Sequence, residues 1–424
     1  MTRWRPMMGT VAGLRCVSCG RVYREREVDY TCPVCGLDGT LDVLYNLDSI
    51  REVFTREALA LNREYSLWRY WPILPVRNRE NVQPVAVGWT PLYRANRIAA
   101  KYGVMSVYVK DDGRNPTASL KDRASAVGVA KALEYGRTVV ACSSTGNAAS
   151  SLAGLAAVAG LDCFIFVPRT APDAKITQLL IYGAHVVLVD GTYHDAFELS
   201  MRAIERFGWY NRNCAINPYL VEGKKTCGLE IAEQLQWEVP DWVFIAVGDG
   251  CCISGLHKAF EDLKALGLIE RVPKLCGVQA EGCQPIYRAF RDGAHRVQFG
   301  DAATLADSIA VGAPRNWAKA LRAVRESGGR MVTVSDQDIL DSMRELAREV
   351  GVFGEPAGAA GFAGFRKVAG EGALRATDRV AVVVTGNGLK DVAAARRACG
   401  EAITIRPDID EFVRKMNEGG RVQR

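Results

Sequence analysis

The chain predicts a doubly wound α/β protein with parallel-sheet cores, carrying a small cysteine ribbon at its N-terminal end. Three observations carry this expectation. From Thr90 onward, short β-branched apolar runs alternate with amphipathic stretches, as expected of strands buried on both faces and the helices that cover them. Three polar or glycine-rich turns each follow such a strand or open a helix. Ahead of them stand two Cys-x-x-Cys-Gly units.

The ribbon comes first. Cys16 and Cys19, followed by Gly20, are separated by twelve residues from Cys32 and Cys35, followed by Gly36. Each glycine permits the tight turn that aims two thiolates at one ion, and four soft ligands in two such knuckles suit tetrahedral zinc. A four-cysteine site leaves no open coordination position, so the metal is expected to be structural. A ribbon that keeps its cysteines without metal is the alternative. Residues 1–45 form this unit, and residues 46–88, with the aromatic cluster W-R-Y-W-P-I-L-P, read as an arm packed on a larger body.

Strands are expected over 107–110, 138–142, 163–168 and 185–190, and helices over 125–135, 148–159 and 176–182. With 48% hydrophobic residues, the 424-residue chain can bury a large core divided into two or three domains. The formal net charge of +6 is spread along the chain and gives little reason to invoke nucleic acid. No apolar run approaches membrane-spanning length, the first residues lack a signal-like apolar region, and a cytoplasmic location follows by default. Thirteen cysteines, an odd number, argue against a disulfide framework.

The chemistry is expected at Lys121 and the three turns. Lys121 stands in N-P-T-A-S-L-K-D-R, at the start of a helix behind a polar turn. Ser144, Thr145, Gly146 and Asn147 follow a strand and open a small-residue helix, which places amides and hydroxyls at a positive helix end suited to a carboxylate. The same residues could serve only as a helix cap. Gly248, Asp249, Gly250, Cys251, Cys252, Ile253 and Ser254 also join a strand to a helix, forming an anion nest or a plain turn. No G-K-[S/T] closes that turn, so it is not a nucleotide P-loop. Thr385 ends a very apolar strand, where ligands of open α/β sheets bind. Lysine, phosphate nest, carboxylate cradle and neutral hydroxyl together are the parts of a pyridoxal phosphate site.

Residues from about 88 to 392 resemble threonine synthase and, more broadly, the two-domain fold type II pyridoxal-phosphate enzymes, whose architecture is tryptophan synthase β-like. The segments that carry the resemblance are N-P-T-A-S-L-K-D-R, S-S-T-G-N, I-N-P-Y-L-V-E-G-K-K-T, V-G-D-G-C-C-I-S-G, G-E-P-A-G-A-A-G and V-T-G-N-G-L-K-D, in the family's order. The resemblance implies that Lys121 is the Schiff-base and proton-shuttling lysine and that Asn147 bonds the cofactor's phenolic oxygen. It implies that Ser144, Thr145 and Gly146 grip the substrate carboxylate, that the amides from Gly248 to Ser254 hold the cofactor phosphate, and that Thr385 faces the pyridine nitrogen. It further implies a large domain of residues 89–139 and 226–405, a small mobile domain of residues 140–225, and a homodimer; residues 406–424 read from their own composition as a polar tail, with E-G-G-R-V-Q-R expected to be disordered.

Three departures stand out. Where relatives that bind O-phosphohomoserine carry threonine, serine and arginine, this chain has Ala148, Ala215 and Leu220, each lacking a hydrogen-bond donor. Lys224, in place of the usual glutamine, or Lys175 could compensate, although a lysine at a helix start is expected to stay in water. Cys251 and Cys252 replace the usual glycine and asparagine of the phosphate loop. The expected function is a pyridoxal-phosphate lyase converting O-phosphohomoserine, or a related amino acid with a β or γ leaving group, by elimination and replacement. The alternatives are a related β-replacement enzyme, a serine or threonine dehydratase with an unphosphorylated substrate, and a catalytically silent binding module; retention of Lys121, Asn147 and Thr385 argues against the last.

Overall fold

In the computed structural model, residues 11–171 and 173–418 are described. In chain order the strands are β1 (Val11–Cys16), β2 (Val22–Tyr23), β3 (Leu41–Tyr45), β4 (Leu92–Arg94), β5 (Ser106–Asp111), β6 (Val139–Ser143), β7 (Asp162–Pro168), β8 (His185–Val189), β9 (Tyr210–Asn211), β10 (Trp242–Ala246), β11 (Lys274–Ala280), β12 (Arg330–Val334) and β13 (Arg379–Val384). They form three sheets: the ribbon β2-β1-β3, a six-stranded sheet β12-β11-β10-β13-β5-β4, and a four-stranded sheet β8-β7-β6-β9. The ribbon pairs antiparallel, the four-stranded sheet is parallel, and the six-stranded sheet is parallel except at its edge strand β4.

The apolar runs explain this arrangement. Every residue of β10 is buried, because alternate side chains point to opposite faces and both faces are covered. Val243 and Ile245 join Val383 and Leu275 in one core cluster, whereas Phe244 joins Val107, Val382 and Val278 in the other. The four-stranded sheet contributes Val140, Ile165 and Val167 to a third cluster, which also takes in Leu14 and Val43 of the ribbon and Leu67, Trp68 and Leu74 of the arm. Ribbon and arm are therefore built into the body. A polar seam ties the ribbon to the helix Trp317–Glu326, where Lys319 and Arg322 meet Asp42 at 3.0 and 2.8 Å.

One helix fits less simply with the expected division. Tyr219–Gln234 is unbroken, so a boundary at residue 225 falls inside it. It is wedged between the helices Lys121–Glu134 and Cys251–Ala265 at glycine contacts. A Cβ on Gly223 would lie 2.1 Å from the Arg123 carbonyl oxygen, and one on Gly228 would lie 2.7 Å from the Ala259 Cβ. In the tail, Ile409–Glu418 is helical; the rest of E-G-G-R-V-Q-R lies outside the described residues.

Gly223→Ala should therefore force two packed helices apart and destabilise the protein by about 1–3 kcal/mol. Chemical denaturation measures this, and an unchanged midpoint would contradict the close approach.

Candidate active site

The lysine turn is zipped to the end of a strand. The Leu120 amide donates to the Thr385 carbonyl at 2.8 Å, and the Asn387 amide donates to the Ala118 carbonyl at 3.0 Å. Ala118 sits at φ +65°, a left-handed conformation costing a non-glycine residue about 1 kcal/mol. That bend turns the chain into the helix Lys121–Glu134, whose first residue is Lys121. The Lys121 Nζ reaches to 3.9 Å from the Cys252 Sγ on the glycine-rich turn.

The helix start is fixed from beneath by buried charge. Arg123, fully buried, donates from Nε and Nη2 to Asp112 at 2.7 and 2.8 Å, and from Nη1 and Nη2 to Glu230 at 2.5 and 2.7 Å. Lys110 adds a contact to Glu230 at 2.6 Å. Burial pushes the Glu230 carboxyl up, but Arg123 and Lys110 outweigh it and bring the group down to about 2.

A cavity of about 600 Å³ opens at the carboxyl ends of β6, β10 and β13. Lys121, Ser144, Thr145, Gly146, Asn147, the turn from Gly248 to Cys252 and Thr385 all line it. The three turns read from the sequence thus converge on the lysine. Ala148 and Ala215 line the same cavity, while Leu220 is buried against Gly128 outside the lining.

Ile253 and Ser254 do not line the cavity. Ile253 belongs to the core, and the Ser254 amide donates to the Gly250 carbonyl at 3.2 Å, closing the first turn of the helix Cys251–Ala265. Its hydroxyl donates to the same carbonyl at 2.6 Å. The open amides of this helix end are therefore those of Cys251, Cys252 and Ile253, one residue short of the expected span. Gly250 is left-handed at φ +94°, and a Cβ there would meet Ala320 at 2.7 Å; one on Gly248 would meet Ile309 at 3.0 Å. Asp249 holds the facing loop through the Arg315 amide at 2.9 Å. A turn without room for side chains, with open amides beside a lysine, fits a phosphate-bearing aldehyde cofactor.

Asn147 takes an unexpected partner. Its Nδ2 donates to the Glu355 Oε1 at 2.7 Å, and Glu355 lines the cavity. Sequence reasoning gave Glu355 no role in the site, although it stands in the segment G-E-P-A-G-A-A-G and opens the small-residue helix Pro356–Gly370. It also missed Arg212 and Cys214, which follow the two-residue strand β9, too short to leave a periodic pattern. Lys224 is a correction. The lysine expected to remain solvated is buried and lines the cavity, because the helix bearing it is covered on both sides. Lys175 forms an ion pair with Asp307.

Away from the cavity, the sulfurs of Cys16, Cys19, Cys32 and Cys35 lie within 4.8 Å of one another. The knuckles close around Gly39, where a Cβ would lie 2.6 Å from that of Cys32. The set is compatible with zinc.

Glu355 carries a pH dependence. Burial pushes its carboxyl up to about 7, against the pull of Lys390 and the Asn147 hydrogen bond. The unfolded carboxyl releases its proton near 4.5, so between these values the folded chain binds the extra proton. The resulting stability, at most about 3 kcal/mol, is complete below pH 4.5 and lost as pH rises through 7. In Glu355→Gln, thermal denaturation of the cofactor-free chain should show a smaller loss between pH 5 and pH 8 than the parent; an equal loss would contradict this.

Comparison with known proteins agrees with the geometry. Residues 84–386 match the family model described as pyridoxal-phosphate dependent enzyme. Threonine synthase of Methanocaldococcus jannaschii is 39% identical over 406 residues, covering 95% of this chain and 99% of that one. Threonine synthase of Methanosarcina acetivorans is 40% identical over 401 residues, 94% and 96% of the two chains. Among solved structures, threonine deaminase isoform 2 of Solanum lycopersicum superposes with a TM-score of 0.62 at 23% identity, covering 73% of this chain and 83% of that one, a likeness of fold. The chain belongs to the pyridoxal-phosphate dependent enzyme family and, within it, to the threonine synthase-like lyases.

Proposed function

We propose that this enzyme converts O-phosphohomoserine to threonine, with Lys121 as covalent anchor of pyridoxal phosphate and as the group that moves protons at the substrate's Cα and Cβ. The supporting observation is the convergence of Lys121, the 144–147 turn, the 248–252 turn and Thr385 on one cavity. The cofactor supplies an electron sink for negative charge developing at the substrate carbon. The amides of Cys251, Cys252 and Ile253 hold its phosphate, and Ser144, Thr145 and Gly146 hold the substrate carboxylate. Asn147 orients the ring oxygen. The Thr385 hydroxyl, a neutral partner for the ring nitrogen, favours elimination and replacement over transamination. Residues 140–225 form the smaller unit that moves over the substrate, with the helix Tyr219–Gln234 as its root.

A dehydratase acting on unphosphorylated serine or threonine is the second reading, supported by the loss of donors at Ala148, Ala215 and Leu220. Phosphate release from O-phosphohomoserine and O-phosphoserine, measured beside ammonia release from serine and threonine, separates the two. Phosphate release from O-phosphohomoserine is expected, and Lys121→Ala should lower it by about 10²–10⁴-fold. Activity confined to ammonia release would reject the synthase reading.

The ribbon is proposed to hold one structural zinc through Cys16, Cys19, Cys32 and Cys35. Metal analysis should find one zinc per chain, and chelation should lower the thermal midpoint, since the ribbon shares a core with the arm and the four-stranded sheet. No described helix is long and apolar enough to cross a membrane; a cytoplasmic location is proposed. A homodimer is the proposed assembly, supported by the exposed Ile409, Phe412 and Val413 of the last helix.

A further inference from the structure

Buried cations in this protein follow a rule that two of them break. Arg69, Lys110, Arg123, Lys131, Lys225 and Lys319 are all buried, and each meets a carboxylate within 3.0 Å. Such pairing is what a low-dielectric interior requires. Arg212 and Lys224 are as deeply buried, at 0% and 1% exposure, and have no carboxylate partner among the described residues. Arg212 donates from Nε and Nη2 to the Ser125 hydroxyl at 3.1 and 3.0 Å and from Nη1 to the Cys214 sulfur at 3.1 Å. Lys224 Nζ has that same sulfur at 3.6 Å. The carboxylate of nearby Asp249 accepts from the Arg315 amide. Both cations and Cys214 line the cavity that contains Lys121.

We propose that Arg212 and Lys224 form a buried subsite for the phosphate of the substrate's leaving group, with Cys214 between them as the side chain an incoming anion meets. The proposal rests on the reading of this cavity as the pyridoxal phosphate site. A phosphate monoester offers two charges and several acceptor oxygens to cations that have no carboxylate partner among the described residues, and a guanidinium beside an ammonium holds it by charge-assisted hydrogen bonds. The placement also accounts for Leu220. Residues 220 and 224 lie one turn apart on one face of the same helix, so the cation has moved along it from a position outside the lining to one inside. The chain thereby retains a seat for a dianionic leaving group without donors at 148, 215 and 220. Burial pushes the Cys214 thiol up, but Lys224 and Arg212 outweigh it and bring it down to about 6; the thiolate balances the two cations until a phosphate takes its place and returns it to the protonated form, which makes it a reporter of the subsite.

The test labels the holoenzyme with iodoacetamide and follows Cys214 by peptide mass spectrometry, with inorganic phosphate or with chloride at equal ionic strength. Phosphate at ten times its dissociation constant should slow labelling of Cys214 about tenfold, and Lys224→Gln or Arg212→Gln should abolish that protection. Lys224→Gln should also raise KM for O-phosphohomoserine more than KM for an unphosphorylated amino acid. Phosphate that protects no better than chloride, or protection that survives both substitutions, overturns the subsite. The cofactor's absorbance is recorded on the same samples: if it is present while protection is absent, only the subsite fails, and if the parent chain never acquires it, the cofactor reading fails.

Discussion

The geometry of the cavity depends on the buried charge around Arg123. This residue lies two positions after Lys121 and joins three parts distant in sequence: Asp112 beyond β5, Glu230 on the helix Tyr219–Gln234, and Thr90 at the entry to the six-stranded sheet. Removing one partner from such a cluster leaves an uncompensated buried charge, a loss of about 3–5 kcal/mol. Replacing the whole cluster by apolar side chains could be neutral for stability, so its value here is positional. A guanidinium with carboxylates on two sides holds the first turn of the lysine helix in one place. The Leu120 and Asn387 hydrogen bonds then fix that turn to β13.

The mouth of the sheets gathers cationic side chains and helix starts. Helix starts at Asn147 and Cys251 point open amides toward the cavity, and Lys224 and Arg212 add full charges to its wall. Such a site is suited to a cofactor phosphate, a substrate carboxylate and a substrate phosphate at once. Glu355 lines the same cavity beside Asn147, and its carboxyl, raised to about 7, can stand neutral in the hydrogen bond from that residue.

Much of this was legible in the sequence, and the exceptions have common causes. The strands β5, β6, β7 and β8 and the helices between them appear within a residue or two of expectation, apart from the early starts of the helices Lys121–Glu134 and Asp173–Ile181. Period and apolar content are local properties. The turns at 144–147, 248–252 and 385 were legible for the same reason, as each is a short segment bounded by a strand. What depends on three-dimensional packing was not. Lys224 looks like a solvated lysine until two helices are placed over it at Gly223 and Gly228. Arg212 follows a two-residue strand with no periodicity to mark it. Ser254 lies one residue beyond the open helix end, a distinction that exists only once the first intrahelical hydrogen bond is located.

The account rests on Lys121, out of the two lysines that line the cavity, as the residue that binds the cofactor. Borohydride reduction of the native enzyme followed by peptide mapping tests this most directly. The account predicts one pyridoxyl group, on the peptide that contains Lys121, with Lys224 unmodified. A pyridoxyl group on Lys224, or on neither lysine, would contradict it.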